Sequence, residues 1–376
     1  MLTRIRIQNY KCLADVTLNL GPFNVLIGPN DTGKSSVLEA VFLLSELVKG
    51  RELGKGEGIP NLGEFIAHRE GKTLLSFVAN LRLAQTQAVY SIEISEDANV
   101  RSESLKGFSG QADFWFDVEE SGRKVQTSFG DQGHPRKRTY LSVAQQDEGI
   151  AADEIVHALE ARKFTPKAAS IASPSPPAND PTTPVLRDDG EGLASVLDYM
   201  LLVERDSFDS LEKKLCEMVP YVRRLNVRPL GGKRIVEFSL DGDDRPIPAN
   251  LASDGLLLFL GYITLLHMPG PRPGIILVDE PENGIHPKRL KEIVALLRQL
   301  REKEDVQIIM TTHSPYLLDS MKPEEVQIFT RGKDLCTKVT PMKDIPDLET
   351  LRSGYMLGEM WYNYDEEELV KGIGEG

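Results

Sequence analysis

Eight consecutive residues, Gly28-Pro29-Asn30-Asp31-Thr32-Gly33-Lys34-Ser35, meet every fixed position of the pattern G-x-x-x-x-G-K-[S/T], and their flanks narrow the fold further. Before them, Phe23 to Ile27 is an apolar run of the kind that fills a strand buried on both faces, set off by Gly21-Pro22. After them, Val37, Val41, Leu44 and Val48 recur at spacings of four, three and four, with Leu38 and Phe42 beside them, as one apolar stripe of a helix. Strand, glycine loop and helix are contiguous. That order opens an α/β sheet whose loop turns backbone N–H groups and the positive end of a helix onto phosphate oxygens. Lys34 is the residue to neutralise β- and γ-phosphates, and the Ser35 hydroxyl is the Mg²⁺ ligand; Ser36 follows in the first helical turn.

Two later segments carry chemistry of the same kind. Ile275-Ile276-Leu277-Val278 is an apolar strand that ends on Asp279-Glu280. Asp279, at the strand's C-terminal end, is expected to hold Mg²⁺. Glu280 points to the other side and is expected to accept a proton from the attacking water. The next apolar strand, Val306 to Met310, is followed by Thr311-Thr312-His313-Ser314. In a parallel nucleotide-binding sheet ligands gather at the C-terminal ends of the strands, which puts His313 beside the γ-phosphate. An ordinary structural histidine and an acidic turn are the alternatives these segments would have without the glycine loop.

The rest of the chain bounds these readings. Its 376 residues, 40% hydrophobic and 27% charged, suit one large or two ordinary globular domains. With 44 Lys and Arg against 57 Asp and Glu, the net charge of −13 gives no overall attraction to a polyanion, so nucleic acid would need a local basic patch. Arg136-Lys137-Arg138 and Lys288-Arg289 are candidates, with solvated surface charge as their alternative. No apolar run approaches the roughly 20 residues of a membrane span. Met1 to Tyr10 lacks the layout of a signal peptide, so a cytoplasmic location is expected. Cys12, Cys216 and Cys336 are too few and too scattered for a disulfide framework or a zinc site.

Alternating apolar and polar residues mark strands at Ile5 and Ile7, at Val16, Leu18 and Leu20, and repeatedly between Thr73 and about Ser128, where they suggest an antiparallel β subdomain. Residues 165 to 184 hold six prolines and almost no large apolar side chain, which predicts a linker or surface loop. Helices are expected at Leu193 to Leu201, Leu211 to Met218, Leu256 to Leu266 and Pro287 to Lys303, with no continued heptads and hence no long coiled-coil arm. The expected division is a lobe over 1–164, a linker over 165–190, a second lobe over 191–345 and a polar tail over 346–376.

Taken in order, NYKCL, GPNDTGKSS, SDG, ILVDEPENGIHP and TTHSP resemble the motifs of ATP-binding-cassette ATPases of the RecF and SMC type. More narrowly, they resemble the AAA-type ATP-binding proteins related to the ATPase half of OLD nucleases. The resemblance covers roughly residues 1 to 50 and 190 to 330. It implies an α/β P-loop NTPase, a RecF-like ABC-ATPase head with an antiparallel β subdomain and a helical lobe, using ATP and Mg²⁺. It implies a homodimer that sandwiches two ATP molecules, in which Ser253-Asp254-Gly255 of one chain meets the γ-phosphate held by the other. The signature lacks the second glycine and the glutamine of the longer transporter form; a simple helix cap is its other reading. The resemblance further implies a basic residue near the nucleotide at Lys11, a Mg²⁺-sensing glutamine for which Gln145 and Gln146 are candidates, and a subunit-contact loop over Pro281 to Pro287 with His286.

Two functions follow from the resemblance. One is an ATP-driven switch that acts on DNA in repair, recombination or genome defence. The other is an ATPase subunit that regulates a partner nuclease or toxin in a phage-defence assembly, without touching DNA. A transporter ATPase fits poorly, because Lys34 and Asp279 stand 245 positions apart. An intrinsic nuclease fits poorly too, since little chain follows Thr330 and the acidic run Asp365 to Glu368 has no apolar strand before it.

Overall fold

The computed structural model describes residues 1–51, 66, 74–84, 86–96, 99–108, 114–118, 125–127, 139–141, 150–178, 184–332, 335–346 and 348–371. Its strands, in chain order, are β1 Leu2–Tyr10, β2 Leu13–Asn19, β3 Phe23–Ile27, β4 Leu74–Arg82, β5 Gln87–Ser95, β6 Val100–Phe108, β7 Phe114–Val118 and β8 Val125–Thr127. They continue as β9 Ala161–Lys163, β10 Val222–Leu230, β11 Lys233–Leu240, β12 Ile247–Pro248, β13 Ile275–Val278, β14 Gln307–Thr312, β15 Val326–Arg331 and β16 Thr337–Pro341.

The chain divides into two compact units, the first made of Met1–Arg162, Pro273–Leu277 and Val306–Gly376. Its seven-stranded sheet has the order β2-β1-β4-β5-β6-β7-β8 and is antiparallel throughout. The β subdomain read from the sequence is therefore continuous with the first two strands. Along β1, Ile5 and Ile7 are buried while Arg4 and Arg6 are exposed, as period-two alternation requires; Leu2 is buried out of that phase, across the register shift between Leu2 and Arg4. The second sheet has the order β16-β15-β3-β14-β13-β9, with β14 and β15 both parallel to β3. The helix Lys34–Val48 buries Val37, Leu38, Val41, Leu44 and Val48 in one core with Ile5 and Ile7 of the first sheet and Leu26 and Ile309 of the second. Each such side chain contributes about 1.5–3 kcal/mol when fully withdrawn from water.

Two buried amides join distant parts of this unit. Gln307 donates through Nε2 to the carbonyls of Leu2 (2.8 Å) and Gly21 (2.7 Å), and its Oε1 accepts from Leu2 N (3.1 Å). Asn24 donates to the carbonyls of Gly21 (2.7 Å) and Ile308 (3.1 Å) and accepts from Gly21 N (2.7 Å). Each partner satisfies a polar group that would be costly to bury alone.

The second unit, Lys163–Arg272 and Val278–Asp305, holds the helices Leu193–Leu202, Arg205–Met218, Asp254–His267 and Leu290–Glu304 and the three-stranded sheet β10-β11-β12. The helix Leu290–Glu304 buries Leu290, Ile293, Val294, Leu296, Leu297 and Leu300, a 3.6-residue stripe, and ends on Asp305 in the left-handed region at φ 52°.

The boundaries differ from those read in the sequence. Strands β13 and β14 return to the sheet of the first unit, so the chain crosses between units more often than a lobe-by-lobe division allows. The proline-rich stretch is folded where it is described. Thr165 N and Lys167 N bond the carbonyls of Asp188 and Asp189, a one-turn helix spans Ala168–Ile171, and Ile171 is buried beside Gly190 and Gly261. Two apolar anchors, Phe164 and Ile171, supply the burial that composition alone does not suggest. The residues after Ile345 form short helices, Leu348–Arg352, Leu357–Asn363 and Glu366–Lys371, with Met360 and Leu369 buried. Asp365, Glu367 and Glu368 are exposed and Glu366 is half-buried, as expected for a solvated helix face.

Candidate functional site

The glycine loop runs from the end of β3 into the helix Lys34–Val48. Its glycines are required where they stand. A Cβ on Gly28 would lie 2.3 Å from the Phe329 carbonyl oxygen of β15, so only glycine lets the two segments approach this closely. Gly33 caps the helix at φ 99°, and a Cβ there would meet Thr337 Oγ1 at 2.6 Å and Cys12 Sγ at 2.9 Å. Asp31 also has positive φ, 63°. The loop is braced from within by Thr32, whose hydroxyl donates to Pro29 O (2.8 Å), and from outside by Thr337, whose hydroxyl donates to Thr32 O (2.8 Å).

Lys34 curls back over this loop. Its Nζ donates to the carbonyls of Gly28 (2.8 Å) and Pro29 (2.7 Å), and the residue is only 4% exposed. The helix it opens has no side-chain cap bond at Gly33 and no acidic residue in its first turn. Its positive end is thus uncompensated by a carboxylate of its own, which suits an anion. Ser36 Oγ lies 3.7 Å from Cys12 Sγ. Lys11, in the left-handed region at φ 50°, forms an ion pair with Glu39 one turn into the helix and stands 5.7 Å from the Tyr10 ring centroid.

The register of the parallel strands fixes His313. Thr312 lies opposite Ile27 and Ile328 lies opposite Ile27 on the other side, so His313 and Gly28 leave the sheet at the same edge, level with Phe329 of β15. The strand β14 runs two residues further than the sequence suggested, which buries Thr311 and Thr312 and leaves His313 half-exposed. Ser314 N donates to Thr312 Oγ1 (2.9 Å), turning the chain into the short helix Pro315–Leu318.

The remaining candidates belong to the second unit. Asp279 and Glu280 follow directly on β13 and are half-buried. Glu280 takes the left-handed conformation, φ 47°, and its carboxylate accepts from Asn283 Nδ2 (2.9 Å). Ser253 caps the helix Asp254–His267, its Oγ accepting from Leu256 N (3.4 Å). Ser253 and Asp254 are exposed and Gly255 is half-exposed. Gly284 lies beside this helix start, where a Cβ would meet Leu258 Cδ1 at 2.8 Å, so the Pro281 to Pro287 loop and the Ser253-Asp254-Gly255 turn share one surface of the unit. His286 Nδ1 accepts from Lys288 N (3.3 Å).

Gln145, Gln146 and the Arg136-Lys137-Arg138 cluster lie outside the described residues. The chain just before the two glutamines is anchored at Tyr140 and Leu141, whose amides donate to buried Glu103 (2.6 and 3.1 Å). Tyr90 also donates to Glu103 (2.9 Å), and burial with that neighbouring carboxylate pushes its phenol well above the usual range. Arg289 is internally engaged. Its guanidinium donates to Met218 O (2.6 Å), pairs with Glu292 (2.8 Å) and lies 4.0 Å from the Phe259 ring centroid, so half of the Lys288-Arg289 cluster serves packing. Thr337, Asn24 and Gln307 were invisible as contributors to the loop's setting, because their partners lie hundreds of residues away.

Residues 23–319 match the model of the family described as AAA domain, putative AbiEii toxin, Type IV TA system. The chain belongs to this family. It is 22% identical over 387 residues to an OLD nuclease of Thermus scotoductus, a match that covers 95% of this chain and 68% of that one. It is also 43% identical over 70 residues to the DNA replication and repair protein RecF of Yersinia pseudotuberculosis, covering 18% of this chain and 19% of RecF. The chain thus spans about two thirds of the nuclease and a much smaller part of RecF. Among solved structures, an Smc head bound to the C-winged helix domain of ScpA aligns with TM-score 0.53 at 12% identity, covering 90% of this chain and 97% of that one. An Smc head with an extended coiled coil, bound to the C-terminal domain of ScpA derived from Pyrococcus furiosus, aligns with TM-score 0.54 at 12% identity, covering 94% and 98%. The fold is that of an ABC-type ATPase head, and in sequence the chain is similar to OLD nuclease and, over a short segment, to RecF.

Proposed function

We propose that this family member binds Mg-ATP at the Gly28 to Ser36 loop, pairs with a second copy around the nucleotide, hydrolyses it and uses the resulting motion to act on DNA. The observation that carries the reading is the state of Lys34. Its ammonium is buried among loop carbonyls at an uncapped helix N-terminus, and a buried cation gains most from an anion brought to it. The donor set also fits a hard divalent cation, with a hydroxyl at Ser35 and a carboxylate at Asp279; when bound, Mg²⁺ would offset phosphate charge. In this reading Glu280 accepts the proton of the attacking water and His313 donates to the γ-phosphate. Lys11 reaches nucleotide only by exchanging Glu39 for a phosphate. Ser253-Asp254-Gly255 contacts the ATP of the second copy, with Asp254 acting against anion affinity in an isolated chain. Gln145 is proposed as the Mg²⁺ sensor on the resemblance alone.

The test is a thermal melt with and without Mg-ATP. At 100 times its dissociation constant a ligand adds about 2.7 kcal/mol of stability. The native chain should melt higher with Mg-ATP and Lys34→Ala should not; a rise that persists in Lys34→Ala would remove the loop from the reading. A second reading, an ATPase that regulates a partner toxin or nuclease, is favoured by the family's description and by the −13 net charge. ATPase rate with and without duplex DNA separates the two, since only the first predicts stimulation.

A further inference from the structure

Between Met218 and Val236 the chain carries five cations and no carboxylate, in a protein whose acids outnumber its bases. This segment folds as the hairpin β10–β11, closed by Gly231 and Gly232, both at positive φ (55° and 78°), with Leu230 opposite Lys233. Two successive positive φ values are what a two-residue turn with the twist of its strands needs, and a Cβ at either glycine would meet nothing within 4 Å. The tip is narrow and stands in open space. β10 forms the edge of its sheet.

The cations divide into two kinds. Arg228 pairs with buried Glu237 (2.9 Å), Arg234 with Asp198 (2.8 Å), and Arg223 lies 3.6 Å from Asp241 while donating to the Leu240 and Asp243 carbonyls. Arg224 and Lys233 are exposed and have no ion-pair partner among the described residues. After the bulge at Val222/Arg224, residues 224, 226, 228 and 230 share one face of β10, across from Ser239, Glu237, Ile235 and Lys233. Arg224 and Arg228, four residues apart on that face, are separated by about 13 Å of strand. The major groove of a duplex is about 12 Å wide and admits a two-stranded β-ribbon.

We infer that the β10–β11 hairpin is a duplex-DNA contact, with Arg224 on the exposed face of β10 and Lys233 at the tip reaching phosphates and the Glu237-paired Arg228 adding positive charge between them. The exposed apolar side chains at the tip, Pro229 and Leu230, are too little surface for a bilayer. The inference rests on the DNA reading above and names the surface that reading leaves open.

The test uses the full chain, a fluorescent 30-base-pair duplex and anisotropy over a salt series, with Arg224→Ala/Lys233→Ala as the variant. Neither residue anchors the fold, whereas Arg228→Ala would strip buried Glu237 of its partner. Losing two phosphate contacts should weaken binding at low salt by tenfold or more and flatten the salt slope by about 1.8, with melting temperature and DNA-free ATPase rate unchanged. If the native chain binds and the variant matches it in affinity and slope, the hairpin assignment is overturned and the DNA reading stands. If the native chain binds no duplex at low salt with or without Mg-ATP, both fall. Loss of binding to phosphatidylserine vesicles alone, with duplex binding intact, would overturn the assignment in favour of a membrane.

Discussion

At the scale of single residues, the glycine loop Gly28 to Ser35 is the part of the protein most fully written in its sequence. Gly28 and Gly33 are there for reasons a pattern can capture, close backbone approach and positive φ, even though the atoms that enforce them, Phe329 O and Thr337 Oγ1, come from some 300 residues away. What the pattern cannot show is who braces the loop. A titrating residue offers a check of the same scale. Burial holds His267 below the usual imidazole range, against the Ile263 carbonyl that favours its charged form and with Lys303, Lys214 and Arg272 nearby. The unfolded chain therefore binds a proton at about pH 6.5 that the folded chain resists, and stability should fall as pH drops through that value. Chemical unfolding at about pH 7.5 and 5.5 should show a smaller loss for His267→Gln than for the native chain. An equal loss in both would show that His267 does not contribute.

At the scale of elements, the local ones were legible and the long-range pairings were not. Phe23–Ile27 and Lys34–Val48 have the bounds their apolar patterns give, because burial on both faces and a 3.6-residue stripe are written in neighbouring residues. The insertion of β14 beside β3, which puts His313 level with Gly28, depends on a pairing between positions near 25 and 310 that no local pattern encodes. The C-terminal helices escaped notice for a similar reason: Met360 and Leu369 are isolated apolar residues in a polar stretch. Gly358 shows how tightly they dock. Its amide donates to Asp319 (2.8 Å), and a Cβ there would meet Pro315 O at 2.1 Å. Gly358→Ala should cost about 1–3 kcal/mol in urea unfolding, as overpacking does. Because Pro315 is two residues from His313, it should also lower ATP turnover more than ATP binding. Native stability and native turnover together would contradict this packing.

At the scale of the whole molecule, the account rests on two copies meeting around nucleotide. Ser253, Asp254, Asn283, Gly284 and His286 form an exposed surface on the second unit, with Leu251 73% exposed next to the signature turn. Ser253→Arg should leave Mg-ATP binding by the isolated chain intact, since the residue is an exposed helix cap, while abolishing turnover. Loss of nucleotide binding by the monomer would place Ser253 in its own chain's pocket. The most direct measurement is the mass of Glu280→Gln by light scattering on a sizing column, with and without Mg-ATP. The amide keeps the size of the carboxylate and loses the base, so nucleotide should persist and the account predicts a dimer with Mg-ATP and a monomer without. A monomer under both conditions, with ATP shown to be bound, would contradict it.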